Sequence, residues 1–388
     1  VKNSTLITAV LFLGVASGFA DEAHNHLRNG QIAWTVGMID ASIAEFSKAI
    51  ELQPYFIEAY RERGVAKHAK GDLDGALDDL NSAIELNPYS AIAFCNRGKI
   101  LEEQDHYFDA MDDFNKAIEL KPDLAEAWGN RGIVWASRKH LDEAMADCKK
   151  AIELNPDSAE AYCCRGRVEA MKGDLNKAMA DFNKSLELNP FLAEAYSNRG
   201  LADTAKGDAE QATADYNKAV ELKPALAEAY INRGVVETTK GELDRALIDY
   251  NQAIAMDANS AEAYSDRAVL KKTKGDSAGA LVDCDQAIRL RPDMAEPYSI
   301  RGALKQEKGD PAGALADFDA AIEHKPNLAA AYIFRGRLKR IQHDLAGAAA
   351  DFHKAHQIDP QIPDEATTAA PANLPGGTGK SVALPNRE

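Results

Sequence analysis

Two sets of side chains recur at a fixed spacing and could do chemistry. Arginine stands at Arg63, Arg97, Arg131, Arg165, Arg199, Arg233, Arg267, Arg301 and Arg335. Each is matched further along by an aspartate: Asp79, Asp113, Asp147, Asp181, Asp215, Asp249, Asp283, Asp317 and Asp351. A guanidinium facing a carboxylate can donate two parallel hydrogen bonds. Such a pair contributes about 0–1 kcal/mol if exposed and roughly 1.5–3 kcal/mol if sheltered. Nearer the N-terminus the same two places hold Asn29 and Glu45, so the two residue types appear and vanish together. This co-occurrence predicts a structural ladder of ion pairs, among them Arg97 with Asp113, Arg131 with Asp147, Arg199 with Asp215 and Arg233 with Asp249. The second set lies one residue before the arginines. It comprises Asn96, Asn130, Asn198 and Asn232, is interrupted by Cys164 and is continued by Asp266. An amide both donates and accepts, so it can pair with a main chain of any sequence. A candidate peptide-binding series follows, with plain polar filling as the competing reading.

Other chemistries find little support. No Ser/His/Asp, paired-carboxylate or metal-ligating constellation stands apart from the recurring positions, so no catalytic residue, metal or cofactor is expected, and the chain reads as a non-enzyme. The cysteines show no CxxC or Cys/His spacing. Cys148 and Cys284 read as core, and a bridge from Cys148 to either Cys163 or Cys164 is conceivable in an oxidising compartment. His24 and His26 read as solvated, and His353 and His356 as a polar outer face. The segment Gly376-Gly377-Thr378-Gly379-Lys380-Ser381 resembles the end of a phosphate loop. It has Leu374 where the first glycine is required and lacks the strand and helix that would form the cradle.

The elements that position these residues are set by one period. Prolines fall at 54, 88, 122, 156, 190, 224, 292, 326 and 360, all in a 34-residue register whose only gap is Ala258. Ten units begin at Ala23, Ile57, Ala91, Ala125, Ala159, Ala193, Ala227, Ala261, Ala295 and Ala329. Within a unit the fourth position is aromatic in nine copies, the eighth is Gly or Ala, the twentieth is Ala or Ser, and the twenty-fourth is mostly Phe or Tyr. In the second copy Tyr60, Gly64 and Ala66 lie on one helical face, and Ala76, Leu80, Ala83 and Ile84 on another. Each unit therefore reads as two amphipathic helices, A and B. Glycines such as Gly71 and Gly207 stop helix A by accepting a left-handed conformation. Proline closes helix B, and the Asp, Asn or Ser after it suits the next N-cap. One such hairpin cannot hide its apolar faces, so neighbours must stack. The expectation is an all-α chain with no strand.

Large at 4, small at 8 and 20, aromatic at 24 and proline at 32 is the pattern of the tetratricopeptide repeat (TPR), and the resemblance spans residues 23–362. It implies an α-solenoid of ten helix-turn-helix repeats forming a right-handed superhelix, with helix A lining the concave side. Arginine at position 7 departs from the family, where leucine is usual. Position 6 in such proteins looks into the groove. A similar asparagine series lines the superhelix of the glycosyltransferase that adds N-acetylglucosamine to protein Ser and Thr, where it grips extended peptide. The resemblance thus implies a peptide-binding groove at Asn96, Asn130, Asn198, Asn232 and Asp266. No catalytic domain follows the array, so the transferase activity does not carry over. The carboxylate clamp of chaperone-binding members is absent, because position 5 lacks the required lysine. Position 2 is mostly glutamate, which suits the first turn of a helix and would select a basic peptide if it reached the groove.

A formal net charge of −16 argues against a nucleic-acid partner and favours solubility. At the N-terminus Lys2 precedes an apolar run from Leu6 to Ala16, then Gly18 and Ala20. This reads as a secretory signal cleaved after Ala20 and too short to span a membrane comfortably. The leading Val1 fits an alternative start codon. The expected organisation is a signal peptide over 1–20, the repeat array over 21–362 and a flexible tail over 363–388, rich in Pro, Ala, Thr and Gly. The implied protein is exported, periplasmic or secreted in a bacterium, with no membrane span once the signal is removed. It would be a non-enzymatic scaffold for a protein or peptide; the alternative is a self-assembling structural component of the cell envelope.

Overall fold

A computed structural model describes residues 21–365; the proposed signal segment 1–20 and the tail from 366 onward lie outside the described residues. The described chain is helical throughout and contains no strand. The helices form two compact units, the first ending at Pro190 and the second starting at Phe191.

The first unit runs from α1 (21–35) and α2 (Ile39–Leu52) through α3 (Ile57–Lys70), α4 (Leu73–Leu86), α5 (Ala91–Glu103), α6 (Tyr107–Leu120), α7 (Ala125–Ser137), α8 (Leu141–Leu154), α9 (Ala159–Met171) and α10 (Leu175–Leu188). The second contains α11 (Ala193–Lys206), α12 (Ala209–Leu222), α13 (Ala227–Lys240), α14 (Leu243–Met256), α15 (Ala261–Thr273), α16 (Ser277–Leu290), α17 (Ala295–Glu307), α18 (Pro311–His324), α19 (Ala329–Ile341) and α20 (Leu345–Ile358). Odd-numbered helices are the A helices and even-numbered ones the B helices of ten hairpins.

The closest packing is within a hairpin, and its cause is a size match. Position 8 sits directly under the ring at position 24. A Cβ added to Gly200 would lie 2.9 Å from Tyr216 Cε1, and one added to Gly98 would lie 2.8 Å from Phe114 Cε1. Where position 24 is the smaller Cys284, position 8 is Ala268, and both are fully buried. Between hairpins of the same unit, each B helix packs on the next A helix, giving clusters such as Tyr250, Ala253, Ala263 and Leu270.

Within each unit successive A helices also approach one another, α5 on α7 and α7 on α9 in the first, α13 on α15 and α15 on α17 in the second. No two B helices come into comparable contact among the described residues. Each stack is therefore tight along its A layer and splayed along its B layer, so the A helices line the inner side of the curve.

Capping follows the sequence only in part. Asp72, Asp174, Asp208, Asp276, Asp310 and Asp344 each accept a backbone hydrogen bond at the start of a B helix. On the A helices Ser90, Ser158 and Ser260 cap, but Asp123 and Asn327 do not, because the cap position falls one residue later, on Leu124 and Leu328. Left-handed residues end the A helices of hairpins with glycine, and Asp105, Lys139 and His343 take the same role with φ of 62–64°.

The N-terminal end corrects the sequence reading of its histidines. His26 is half-buried and hydrogen-bonded to Glu45 at 2.7 Å, while His24 packs on the Phe56 ring, so neither is simply solvated. Lys48 and His26 together hold the Glu45 carboxyl down at about 2. At the other end, Ile362 at the close of the array and Asp364 and Glu365 just after it contact the last hairpin. His356 Nδ1 lies 2.7 Å from the Ile362 carbonyl, His353 Nδ1 lies 3.1 Å from Asp364, and Arg337 and Arg340 both reach Glu365.

Candidate partner-binding faces

In hairpins 2–10 the arginine at position 7 links several elements at once. Arg131 Nε and Nη2 donate to the two carboxylate oxygens of Asp147 at 2.7 and 2.8 Å. Its third nitrogen donates to Asn115 of the preceding B helix at 2.8 Å, and its guanidinium lies 4.8 Å from the Trp128 ring. The same arrangement repeats along both units. Arg97 pairs with Asp113 and Asn81, Arg233 with Asp249 and Asn217, and Arg267 with Asp283 and Asn251. Arg165 and Arg199 make the same two-pronged bond to Asp181 and Asp215. All nine arginines from Arg63 to Arg335 stack on the position-4 ring of their own helix. Each aspartate is buried, and its hydrogen bonds raise Arg97, Arg165, Arg199 and Arg233 above the ordinary arginine range. The arginine thus joins helix A to its own helix B, and in most hairpins also to the B helix before it. Position 25, which receives the third nitrogen, is Ser47, Asn81, Asn115, Asn217, Asn251, Asp285 or Asp319. Its role was not read from the sequence, because its identity varies.

The position-6 residues fall on the inner, A-helix layer, but they are not equivalent. Asn96, Asn130, Asn198 and Asp266 are half-buried. Asn232 is only 6% exposed. The Asn130 amide already faces the Cys95 sulfur of the preceding A helix at 3.8 Å, and Asn198 and Asp266 also have partners. Cys164, which interrupts the series, forms a disulfide with Cys148 that joins α8 to α9, with Cα atoms 6.0 Å apart. Burial pushes the thiols of Cys95 and Cys284 up to about 12, which leaves both unreactive.

The position-2 glutamates are partly engaged by their own hairpins. Glu194 meets Lys223 at 2.7 Å, Glu262 meets Arg291 at 2.5 Å and Glu296 meets Lys325 at 3.0 Å, each closing the far end of a hairpin. Among the described residues no cluster of His, Cys, Asp or Glu is arranged to hold a metal ion, and no helix is long and apolar enough to cross a membrane.

Position 11, on the outer side of helix A, carries a signal that the repeat pattern conceals. In four hairpins it is lysine, and its ammonium sits on the same aspartate as the arginine: Lys67 on Asp79, Lys271 on Asp283, Lys305 on Asp317 and Lys339 on Asp351, all at 2.8–2.9 Å. Hairpins 5, 6 and 7 instead carry Glu169, Asp203 and Glu237. Asp203 and Glu237 are both buried beside the aspartate of their own hairpin. Burial first, and then the Asp215 charge, raises the Asp203 carboxyl above its usual range; burial and Asp249 push Glu237 up to about 7.

Comparison with known families agrees with this architecture. Models described as tetratricopeptide repeat match residues 125–158, 148–180, 91–124 and 227–260, and one described as TPR repeat matches 66–105 and 200–237. The chain thus carries tetratricopeptide repeats over residues 66–180 and 200–260. A search of curated proteins finds no match. Similar solved structures include yeast Tom70, 17% identical with a TM-score of 0.43 over 89% of this chain and 93% of that one. A tetratricopeptide repeat protein from Parabacteroides merdae is 21% identical with a TM-score of 0.48, over 65% of this chain and 97% of its own. The APC/C hetero-tetramer Cut9–Hcn1 is 12% identical with a TM-score of 0.49, over 87% of this chain and 94% of the matched one.

Proposed function

We propose that this chain is a protein-interaction scaffold that holds an extended segment of a partner along the inner, A-helix layer. Repeats of this family bind proteins or peptides, which supports the general reading. The observation that carries the specific one is the side-by-side packing of successive A helices. Each unit thereby offers a strip that carries half-buried polar groups at the same register, at Asn96 and Asn130 on adjacent hairpins of one unit and at Asn198 and Asp266, two hairpins apart, in the other. Polar side chains along such a strip suit a peptide main chain, whose donors and acceptors recur regularly. The net charge of −16 favours a basic partner through long-range attraction. Export is part of the proposal. It rests on the N-terminal leader and is in keeping with the Cys148–Cys164 bridge, since such bonds persist in oxidising compartments.

The test is capture from an envelope fraction by the intact chain and by a variant carrying Asn96→Ala, Asn130→Ala and Asn198→Ala. The expected result is a partner retained by the parent and depleted about tenfold or more by the variant, with the far-ultraviolet helical signal unchanged. Equal capture by the two proteins would count against the inner strip. Light scattering that shows concentration-dependent polymers, with no partner captured, would instead favour a self-assembling component.

A further inference from the structure

The outer side of the seventh hairpin holds a site with a different chemistry, independent of the inner strip. A cleft of about 370 Å³ lies between α12 and α14 and is floored by α13; Thr213, Asn217, Arg233, Glu237, Ile248 and Asp249 line it, with Arg245 at the edge. Glu237 is 6% exposed, and its Oε2 is buried with no hydrogen-bond partner. A buried carboxylate oxygen without a donor is costly and calls for an explanation.

Sister hairpins supply one. At the equivalent place in the second hairpin, Asp79 Oδ2 accepts from Arg63 Nε at 2.8 Å and forms an ion pair with Lys67 Nζ at 2.9 Å. The same ammonium returns as Lys271, Lys305 and Lys339. In the seventh hairpin Asp249 Oδ2 keeps its arginine, with Arg233 Nε at 2.6 Å, but the residue that would bring the ammonium is Glu237. The repeat therefore has an extra carboxylate where its relatives have a cation, and an open cleft leads to it. The cleft's own cations are already paired, Arg233 with Asp249 and Arg245 with Glu242 at 2.6 Å.

We propose that the cleft between α12 and α14 receives a primary alkylammonium group from outside the chain, held between Glu237 and Asp249 where Lys67, Lys271, Lys305 and Lys339 place their own. The lysine side chain of a partner protein and a free aliphatic amine share this chemistry. Binding makes no covalent bond; the fraction of Glu237 that is protonated gives up its proton to solvent, and the carboxylate accepts a charge-assisted hydrogen bond from the ammonium. The charged groups facing Glu237 are Arg233, Asp249, Glu242 and Arg245. An added cation tips this set toward the ionised carboxyl, whose pH midpoint falls on binding.

The experiment titrates the full chain, labelled with carboxyl-carbon-13 glutamate, with tetralysine, its fully side-chain-acetylated analogue and n-butylamine. The Glu237 resonance is assigned from Glu237→Gln. The expected result is that tetralysine, n-butylamine or both move this resonance and lower its midpoint by about one pH unit or more, while the acetylated peptide does not. Response to tetralysine alone identifies a protein lysine as the source, and response to both amines identifies the ammonium itself. Calorimetry then compares variants. Glu237→Gln and Glu237→Lys should each weaken amine binding about tenfold or more, and Glu237→Lys, which restores the residue type of four sister hairpins, should fold normally. Glu210→Gln, the same charge change at an exposed site on α12, should leave binding intact. A Glu237 signal that neither amine moves overturns the proposal. So does an equal loss in Glu210→Gln, which would mark general attraction to an acidic protein.

Discussion

At the scale of single residues, the Arg–Asp ladder connects sequence to packing. Arginine is suited to position 7 because its planar fork can bond Asp147 with two nitrogens, Asn115 with the third, and still stack on Trp128. Lysine carries the charge but not the fork. Arg131→Lys should therefore lower stability by about 1–2 kcal/mol, and Arg131→Met by roughly 3 kcal/mol, because it leaves Asp147 buried and unpaired. Adding Asp147→Leu to Arg131→Met should recover part of that loss, which denaturant titration of the three variants would measure. A double variant no more stable than Arg131→Met alone would mean that the ion pair is not the source of the effect. The pairing was legible in the sequence because Asn29 and Glu45 replace both members at once in the first hairpin. The third contact, at position 25, was not legible, because Ser47, Asn115 and Asp285 are equally able to accept from a guanidinium and so leave no residue signature. The acidic position 11 escaped for a related reason. Lysine, leucine, tryptophan and acid all stand there along the chain, as Lys67, Leu101, Trp135 and Glu169, so the position has no single residue type to mark it.

At the scale of helices, the sequence exposed the hairpins and obscured some of their ends. The period of proline and small residues locates helices A and B because tight packing admits few side chains, as Gly200 under the Tyr216 ring illustrates. Helix ends are set by backbone conformation, which several residues can satisfy. Gly207 ends α11 at φ 84° with no strain, whereas Lys139 holds the matching place after α7 at φ 63°. A side chain bearing a Cβ costs about 1 kcal/mol in that region. Lys139→Gly should accordingly raise stability by roughly 0.5–1 kcal/mol, and Gly207→Ala should lower it by a similar amount. Opposite shifts of the unfolding midpoint are expected. A loss of stability in Lys139→Gly would show that the lysine side chain contributes more than its backbone conformation costs. The candidate groove was only half legible for a similar reason. Position in the repeat places Asn96, Asn130, Asn198 and Asn232 on one layer, but burial of Asn232 depends on its neighbours and not on its register.

At the scale of the whole molecule, the stack of hairpins in each unit differs from a globule in how stability is distributed. Within a unit each hairpin contacts only its neighbours, so stability is close to a sum of hairpin and interface contributions. A bond across one interface should then protect that interface and little else. The Cys148–Cys164 disulfide is such a bond, linking the B helix of hairpin 4 to the A helix of hairpin 5 across 16 residues of sequence. Closing a loop of that length stabilises by about 3 kcal/mol in chain-entropy terms. Reduction leaves both sulfurs in the same packed site, so it removes the link without removing the side chains. The expected outcome is faster amide exchange in α8 and α9, by about tenfold or more, with exchange in α13 to α17 unchanged. Hydrogen exchange followed by mass spectrometry, with and without reductant, reads both regions in one sample. If reduction accelerated exchange equally in every helix, the molecule would be opening as one cooperative body. The additive picture of stability, and with it the assignment of effects to single hairpins such as the seventh, would then fail.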